Sequence, residues 1–243
     1  MPSDSLDTAF AALATFDWGG DPTPLADLES RVREAAAAPP LAGELEPRFA
    51  ELLASSAPLA AKAFACRQLR LIGTARSVPA LTGLLADPDL SHMGRFALER
   101  IDGAEAGQAL REAVPRVGDE LALGMISSLA NRRDEAAVPL LAALLNGPEP
   151  LAVAAALALG RIGTAEAARS LAAASAASPG IAAAVAAARI DCADQLLAAG
   201  DRAAATTLFE AVAATTGSAA ATRRSRGLRI AARSGLLDCL DDA

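Results

Sequence analysis

Leu71-Ile72-Gly73-Thr74-Ala75-Arg76-Ser77-Val78-Pro79-Ala80-Leu81 is the stretch whose reading decides the fold. It holds the end of one helical pattern, a glycine, and a proline early in the next. The pattern returns three more times in eroded form. Ile72 aligns with Ile101, Arg132 and Ile162, and Leu81 aligns with Leu110, Leu141 and Leu171. In both columns the steps are 29, 31 and 30 residues. A fixed period near 30 with helical patterning predicts a solenoid of helical hairpins, each burying its apolar face against its neighbours.

Working outward, each unit reads as a first helix, a tight turn, a second helix and a linker. The first helices are expected over 58–72, 91–101, 119–130 and 151–161. The second helices are expected from Ser77, over 104–114, over 135–146 and over 165–175. Gly73 and Gly163 are read as left-handed helix terminators, and Ser91 as an N-cap. Pro79 and Pro139 sit in first turns, where a missing N–H costs nothing. Residues 1–60 lack the period and read as an N-terminal cap with helices over 6–16, 24–38 and 44–54, the second ending at Pro39-Pro40. Residues 61–176 hold the four repeats. Residues 177–243 read as a C-terminal cap with helices over 181–199, 201–215 and 219–237.

The composition agrees with an all-helical chain. Alanine makes up about a quarter of the 243 residues, aromatic residues are 3%, and there is no Tyr. Ala and Leu favour helix, while strand formers are scarce. The net charge of −7 speaks against a general nucleic-acid binder, which needs a basic face. The start, Met1 to Asp7, has neither the basic nor the apolar region of a secretory leader, and no apolar run is long enough to span a membrane. A cytoplasmic location is expected, or an exported one if a leader has been trimmed from the chain. Cys66, Cys192 and Cys239 are odd in number and widely spaced, so they read as small apolar residues and not as a disulfide framework.

The motif carried by Leu69, Ile72, Gly73, Val78, Pro79, Leu81, Leu84, Leu85 and Asp87 resembles the HEAT repeat in its short bacterial form. Ala156 to Thr164 matches it equally well. The second unit has Gly107-Gln108 in place of the proline, and the third has Arg132-Arg133 where Ile-Gly is usual. Phe64 to Leu69, followed by Ser91 to Glu99, resembles a HEAT-containing group of planctomycete-type bacteria. Cys192 to Arg202 with Leu208-Phe209 resembles one tetratricopeptide-like helix pair. The resemblance implies a right-handed α-solenoid of HEAT-type hairpins with atypical helical caps. It also implies a non-enzymatic scaffold that binds a protein or peptide and carries no cofactor. Two alternatives stay open. One is an accessory to a chromophore-containing, haem-containing or sugar-processing enzyme. The other is a nucleic-acid binder of the DNA-alkylation type. Poverty in aromatic residues speaks against the first, and the acidic charge against the second.

Enzyme signatures are sparse. His92 is the only histidine, the cysteines lack C-x-x-C spacing, and phosphate-cradling and nucleophile-elbow motifs are missing. His92 precedes Met93 on one predicted helix, so the two point in different directions and do not form an axial pair.

The leading candidates are arginines. Stacking the repeats puts Leu71, Arg100, Asn131 and Arg161 in one column, with Arg70, Arg132 and Arg133 beside it. Such a line would make one edge basic and suited to an acidic partner. The plainer reading is that these arginines complement helix dipoles at helix C-termini. Arg67, His92, Arg95 and Glu99 form a secondary patch, whose plainer reading is salt bridging within the fold and, for His92, first-turn packing. Arg223 to Arg229 is the densest charge cluster and reads as a solvated helix face.

Overall fold

The computed structural model describes residues 3–175, 177–215 and 223–239. It is all-α, with fourteen α-helices and no strand among the described residues. The chain divides into two units, Met1–Ser128 and Leu129–Ala243.

The first unit opens with α1 (Ser3–Ala14), α2 (Thr23–Ala35) and α3 (Pro39–Ala54). Pro39-Pro40 starts α3 and does not end α2, because proline fits the first turn of a helix better than its last. Next come α4 (Leu59–Ile72), α5 (Val78–Thr82), α6 (Ser91–Leu98) and α7 (Ala104–Ala113). Alternate helices pack on one another. α2 meets α4 and α4 meets α6, while α3 meets α5 and α5 meets α7. The helices before the repeats thus join the same two rows.

Helix α8 (Asp119–Arg132) contains the boundary between the units. The second unit continues with α9 (Val138–Leu144), α10 (Glu149–Ile162), α11 (Ala165–Ala173), α12 (Pro179–Ala198), α13 (Arg202–Thr215) and α14 (Arg223–Asp238). Here α9 meets α11 and α11 meets α13, while α10 meets α12 and α12 meets α14. The three helices after the repeats extend the alternation. Among the described residues no helix is long and apolar enough to cross a membrane.

The repeat columns are the core. Leu81, Leu110, Leu141 and Leu171 are all 0% exposed, and Ile72, Ile101 and Ile162 are buried. Arg132, the departure from the isoleucine column, is half-buried. In the first unit the core has an aromatic chain, with ring centroids 4.9 Å apart for Phe10 and Phe49 and 6.4 Å for Phe49 and Phe64. Arg48 covers it, 4.3 Å above the Phe10 ring and 2.7 Å from the Asp7 carboxylate. The second unit relies on alanine, with Phe209 as its one fully buried ring among the described residues.

A second column emerges at the turns. Thr74, Gly103, Asp134 and Thr164 follow the repeat spacing, and each is the N-cap of the segment after it. Thr74 Oγ1 accepts from the Arg76 N–H at 3.3 Å, Asp134 Oδ1 from Ala136 at 3.2 Å, and Thr164 Oγ1 from Ala167 at 3.2 Å. All four are residue types that helix N-termini favour. The segment after Thr74 therefore begins as a 3-10 turn over Ala75–Ser77, ahead of the Ser77 start read from the sequence. Ser91 is not an N-cap either. It lies inside α6, and Asp87 Oδ1 holds the turn by accepting from Asp89 and Leu90 at 2.8 and 3.2 Å.

The first-helix terminators differ from expectation in an informative way. Gly163 is left-handed, with φ +70. Gly73 is extended, at φ −66 and ψ 144. Its lack of a side chain serves close approach instead, since a Cβ there would meet the Leu69 carbonyl oxygen and lie 3.0 Å from Ile101 Cδ1. The left-handed residue of the third repeat is Arg133, at φ +51. The Asp134 N–H donates to Leu129 O and the Arg133 N–H to Ala130 O, both at 3.0 Å. That pair of bonds closes a Schellman turn, in which glycine is the favoured residue. Arg133→Gly is expected to stabilise the second unit by about 0.5–1 kcal/mol, the left-handed penalty exceeding the added freedom of the unfolded chain. Urea unfolding of the two proteins measures it, and a lower midpoint for the glycine variant would contradict it.

Candidate functional site

The arginines divide into three situations. Arg100 and Arg161 are exposed at the ends of their repeats' first helices, as are Leu71 and Asn131 of the same column. Arg132 is half-buried and engaged in contacts of its own. Arg133 is exposed on its left-handed turn. Arg70 and Arg100 belong to the first unit, and Arg132, Arg133 and Arg161 to the second.

The secondary patch splits. Arg95 and Glu99 turn inward and are held by the fold. Arg95 Nη1 donates to Ser128 Oγ at 3.3 Å and lies 3.7 Å from Glu99 Oε1. Ser128 Oγ donates to Glu99 Oε1 at 2.7 Å. Gly124 makes room, because a Cβ there would sit 2.7 Å from Arg95 Nε. This network ties α6 to the first-unit part of α8. His92 is exposed and takes no part in it. The side chains of residues 223–229 lie outside the described residues.

Arg67 and Arg70 end up together, and the structure adds what the repeat pattern did not contain. They line a cleft of about 360 Å³ in the first unit, built by α2, α4 and α6. Arg33 and Glu29 reach it from α2, Gln68 and Leu71 from α4, and Phe96 from α6. The helical spacing of Arg67, Gln68, Arg70 and Leu71 puts them on the flank of α4 that faces α2 and α6. The Arg70 guanidinium lies over the Phe96 ring, with Cζ 4.1 Å from the centroid. Its Nε is buried and has no hydrogen-bond partner. Arg67 Cζ lies 5.6 Å from the Phe64 centroid. Among the described residues, Arg33, Arg67 and Arg70 have no carboxylate within 4.0 Å. Phe96 is 39% exposed and Leu71 55%. Two apolar side chains in solvent beside three cations without ion-pair partners form a surface suited to an anionic, partly apolar ligand. The signal in the sequence is Arg67 and Arg70 three residues apart on one helix, with Leu71 beside them. The contribution of α2 gives no such signal, because that helix lies outside the period.

The second unit has a cleft of about 400 Å³ between α11 and α13, lined mostly by alanines, with Arg169, Asp201 and Thr207 at its polar points. Two polar side chains of α12 serve helix ends. Arg189 is 8% exposed and donates to Leu171 O from Nε at 3.1 Å and from Nη2 at 2.9 Å, closing the C-terminus of α11. Burial holds its pKa below the ordinary guanidinium value. Gln195 Nε2 donates to Gly160 O at 2.7 Å and closes α10.

Cys66 and Cys192 are buried, and burial pushes their thiols up to about 12 and about 11. Both are therefore inert as nucleophiles at neutral pH. Cys239 is half-exposed, unlike the other two. Among the described residues no cluster of three or more His, Cys, Asp or Glu side chains is arranged to hold a metal ion.

Asp191 and Asp194 share α12. Both side chains are largely exposed, and the partial desolvation they do undergo raises both carboxyl pKa values, with Asp191 and Asp238 raising that of Asp194 further. An acid whose folded-state pKa is raised destabilises the fold above that pKa. The penalty fades as pH falls through it and is gone below the unfolded value near 3.8. Asp194→Asn is expected to raise the melting temperature at pH 7, with the gain shrinking as pH falls and vanishing below pH 3.8. Thermal scans from pH 7 to pH 3.5 would show this. A gain that does not depend on pH would assign the effect to something other than charge. No protein-family model matches the chain, and no curated protein matches it.

Proposed function

We propose that this chain is a HEAT-type helical-repeat scaffold, built as a right-handed α-solenoid, that binds a protein partner and performs no chemistry of its own. Two features support the repeat reading: the alternating rows within each unit, and the leucine column buried at every repeat. The observation that carries the functional reading is the α2–α4–α6 cleft. Its arginines and its exposed Phe96 and Leu71 close no helix end and fill no core. Exposed apolar side chains grouped with arginines that have no ion-pair partner point to an interaction surface more than a lone exposed leucine does.

The test is affinity capture from the native source with the wild-type chain and with Arg33→Glu/Arg67→Glu, read by quantitative mass spectrometry. Both substitutions are at exposed positions, so the melting temperature is expected to stay within a degree or two. At least one protein should be enriched tenfold by the wild type and lost with the variant. Identical capture by both would remove this cleft from the function.

A further inference from the structure

We infer that the α2–α4–α6 cleft takes a carboxylate side chain of an acidic peptide segment, with an apolar neighbour seated against Phe96 and Leu71. The inference rests on the scaffold reading and names the kind of segment that reading leaves open.

Arg70 is the centre of the site. A guanidinium normally loses side-chain freedom when it binds, and that loss weakens the complex. Contact with the Phe96 ring, Cζ lying 4.1 Å from its centroid, already restricts Arg70 in the free protein. The guanidinium carries its N–H donors at its edge. The buried Nε–H among them has no acceptor in the protein. Being buried, Nε is out of a ligand's reach, and a carboxylate from the cleft would accept from the two Nη groups in the planar two-bond geometry that guanidinium and carboxylate share. Arg67 and Arg33 supply further positive charge around the same volume.

Two observations favour carboxylate over phosphate. Glu29 lies in the wall and opposes a dianion more than a monoanion. Leu71 and Phe96 offer about as much to an aliphatic or aromatic neighbour as the arginines offer to charge. Nucleic acid is disfavoured by the net charge of −7.

The experiment uses the full chain and a fluorescein-labelled ten-residue peptide alternating Glu and Leu, read by anisotropy. Its counterpart has Gln at every Glu. The Glu peptide should bind at least tenfold more tightly than the Gln peptide, and raising NaCl from 0.05 to 0.5 M should remove most of that advantage. Arg70→Gln should cut affinity tenfold or more. Arg33→Gln and Arg67→Gln, at exposed positions, provide the same test should Arg70→Gln fail to fold. Arg70→Lys, which keeps the charge and loses the fork, should fall between wild type and Arg70→Gln. Equal binding of the two peptides overturns the inference. So does unchanged binding by the Arg33 and Arg67 variants, or displacement of the probe by inorganic phosphate at concentrations where acetate has no effect. If those results came while capture of a partner still depended on Arg33 and Arg67, the scaffold reading would stand and only the ligand class would fall.

Discussion

Gly43→Ala and Gly160→Ala are expected to move stability in opposite directions. Both glycines lie inside helices, where alanine is the better helix former by about 1 kcal/mol. At Gly43 in α3 a new Cβ would meet nothing within 4 Å, so that preference should appear as a gain approaching 1 kcal/mol. At Gly160 in α10 the new Cβ would lie 2.8 Å from both Cα and the carbonyl oxygen of Ala188 and 3.0 Å from its Cβ. Those are backbone atoms of α12, and no rotamer change can move them. The two helices must separate, and α10 also presents Ala152, Ala155 and Ala156 as fully buried residues at native packing density. Overpacking of this kind costs about 1–3 kcal/mol, a clash with rigid backbone falling at the upper end, and alanine's helix preference offsets about 1 kcal/mol of it. Gly160→Ala is therefore expected to be about 2 kcal/mol less stable, and Gly160→Leu is expected not to fold in the second unit. Denaturant unfolding measures the alanine pair, and hydrogen exchange locates the loss. A stabilised Gly160→Ala would mean that α10 and α12 do not approach so closely in solution.

The second large effect is at Glu46. This residue is 2% exposed, and no cation balances it at salt-bridge distance among the described residues. Its Oε1 accepts from the Thr74 N–H at 2.7 Å, Thr74 Oγ1 at 2.8 Å and Ser77 Oγ at 2.7 Å, and Oε2 lies 3.0 Å from Thr74 Oγ1. One carboxylate of α3 thus holds the turn that opens the first repeat's second helix. Glu46→Ala strands the buried Ser77 hydroxyl and gives up the bonds to Thr74, whose exposed donors can turn to water, and is expected to cost about 2–3 kcal/mol. Glu46→Gln should behave very differently. Its amide oxygen can keep the three bonds of Oε1, its NH2 can donate to the Thr74 hydroxyl, and the buried charge is gone. A loss below about 1 kcal/mol is expected. Equal losses for Ala and Gln would show that the charge, and not the hydrogen bonding, is what the turn needs.

The parts of the fold that repeat were legible, and the parts that join one repeat to the next were not. Leu81, Leu110, Leu141 and Leu171 announce themselves by spacing, and all are fully buried. The N-cap column of Thr74, Gly103, Asp134 and Thr164 is equally periodic, but threonine, glycine and aspartate also fill ordinary turns, so residue type alone does not mark it as a cap. Gly73 was read through its residue type, whereas its actual constraint is a neighbouring helix that the local pattern cannot show. Glu46 and Arg189 look like ordinary surface charges in a string of letters. Their partners lie 28 and 18 residues away, and only packing brings them together. The candidate site follows the same rule. Arg67 and Arg70 were visible as charged positions on one helix. Arg33 and Phe96, which turn that face into a cleft, come from helices before and after it.

The alternating rows have a kinetic consequence. Within each unit a helix touches its neighbour and its next-but-one, so structure is made from segments close together along the chain. The bonds that tie separate helices follow suit: Ser77 to Glu46 spans 31 residues, Gln195 to Gly160 spans 35 and Arg202 to Cys239 spans 37. Little loop-closure entropy must be overcome before any one contact forms, and topologies of this kind fold quickly for their length. Folding can start at any adjacent hairpins and spread outward, so a growing nascent chain could begin to fold before its last helices are made.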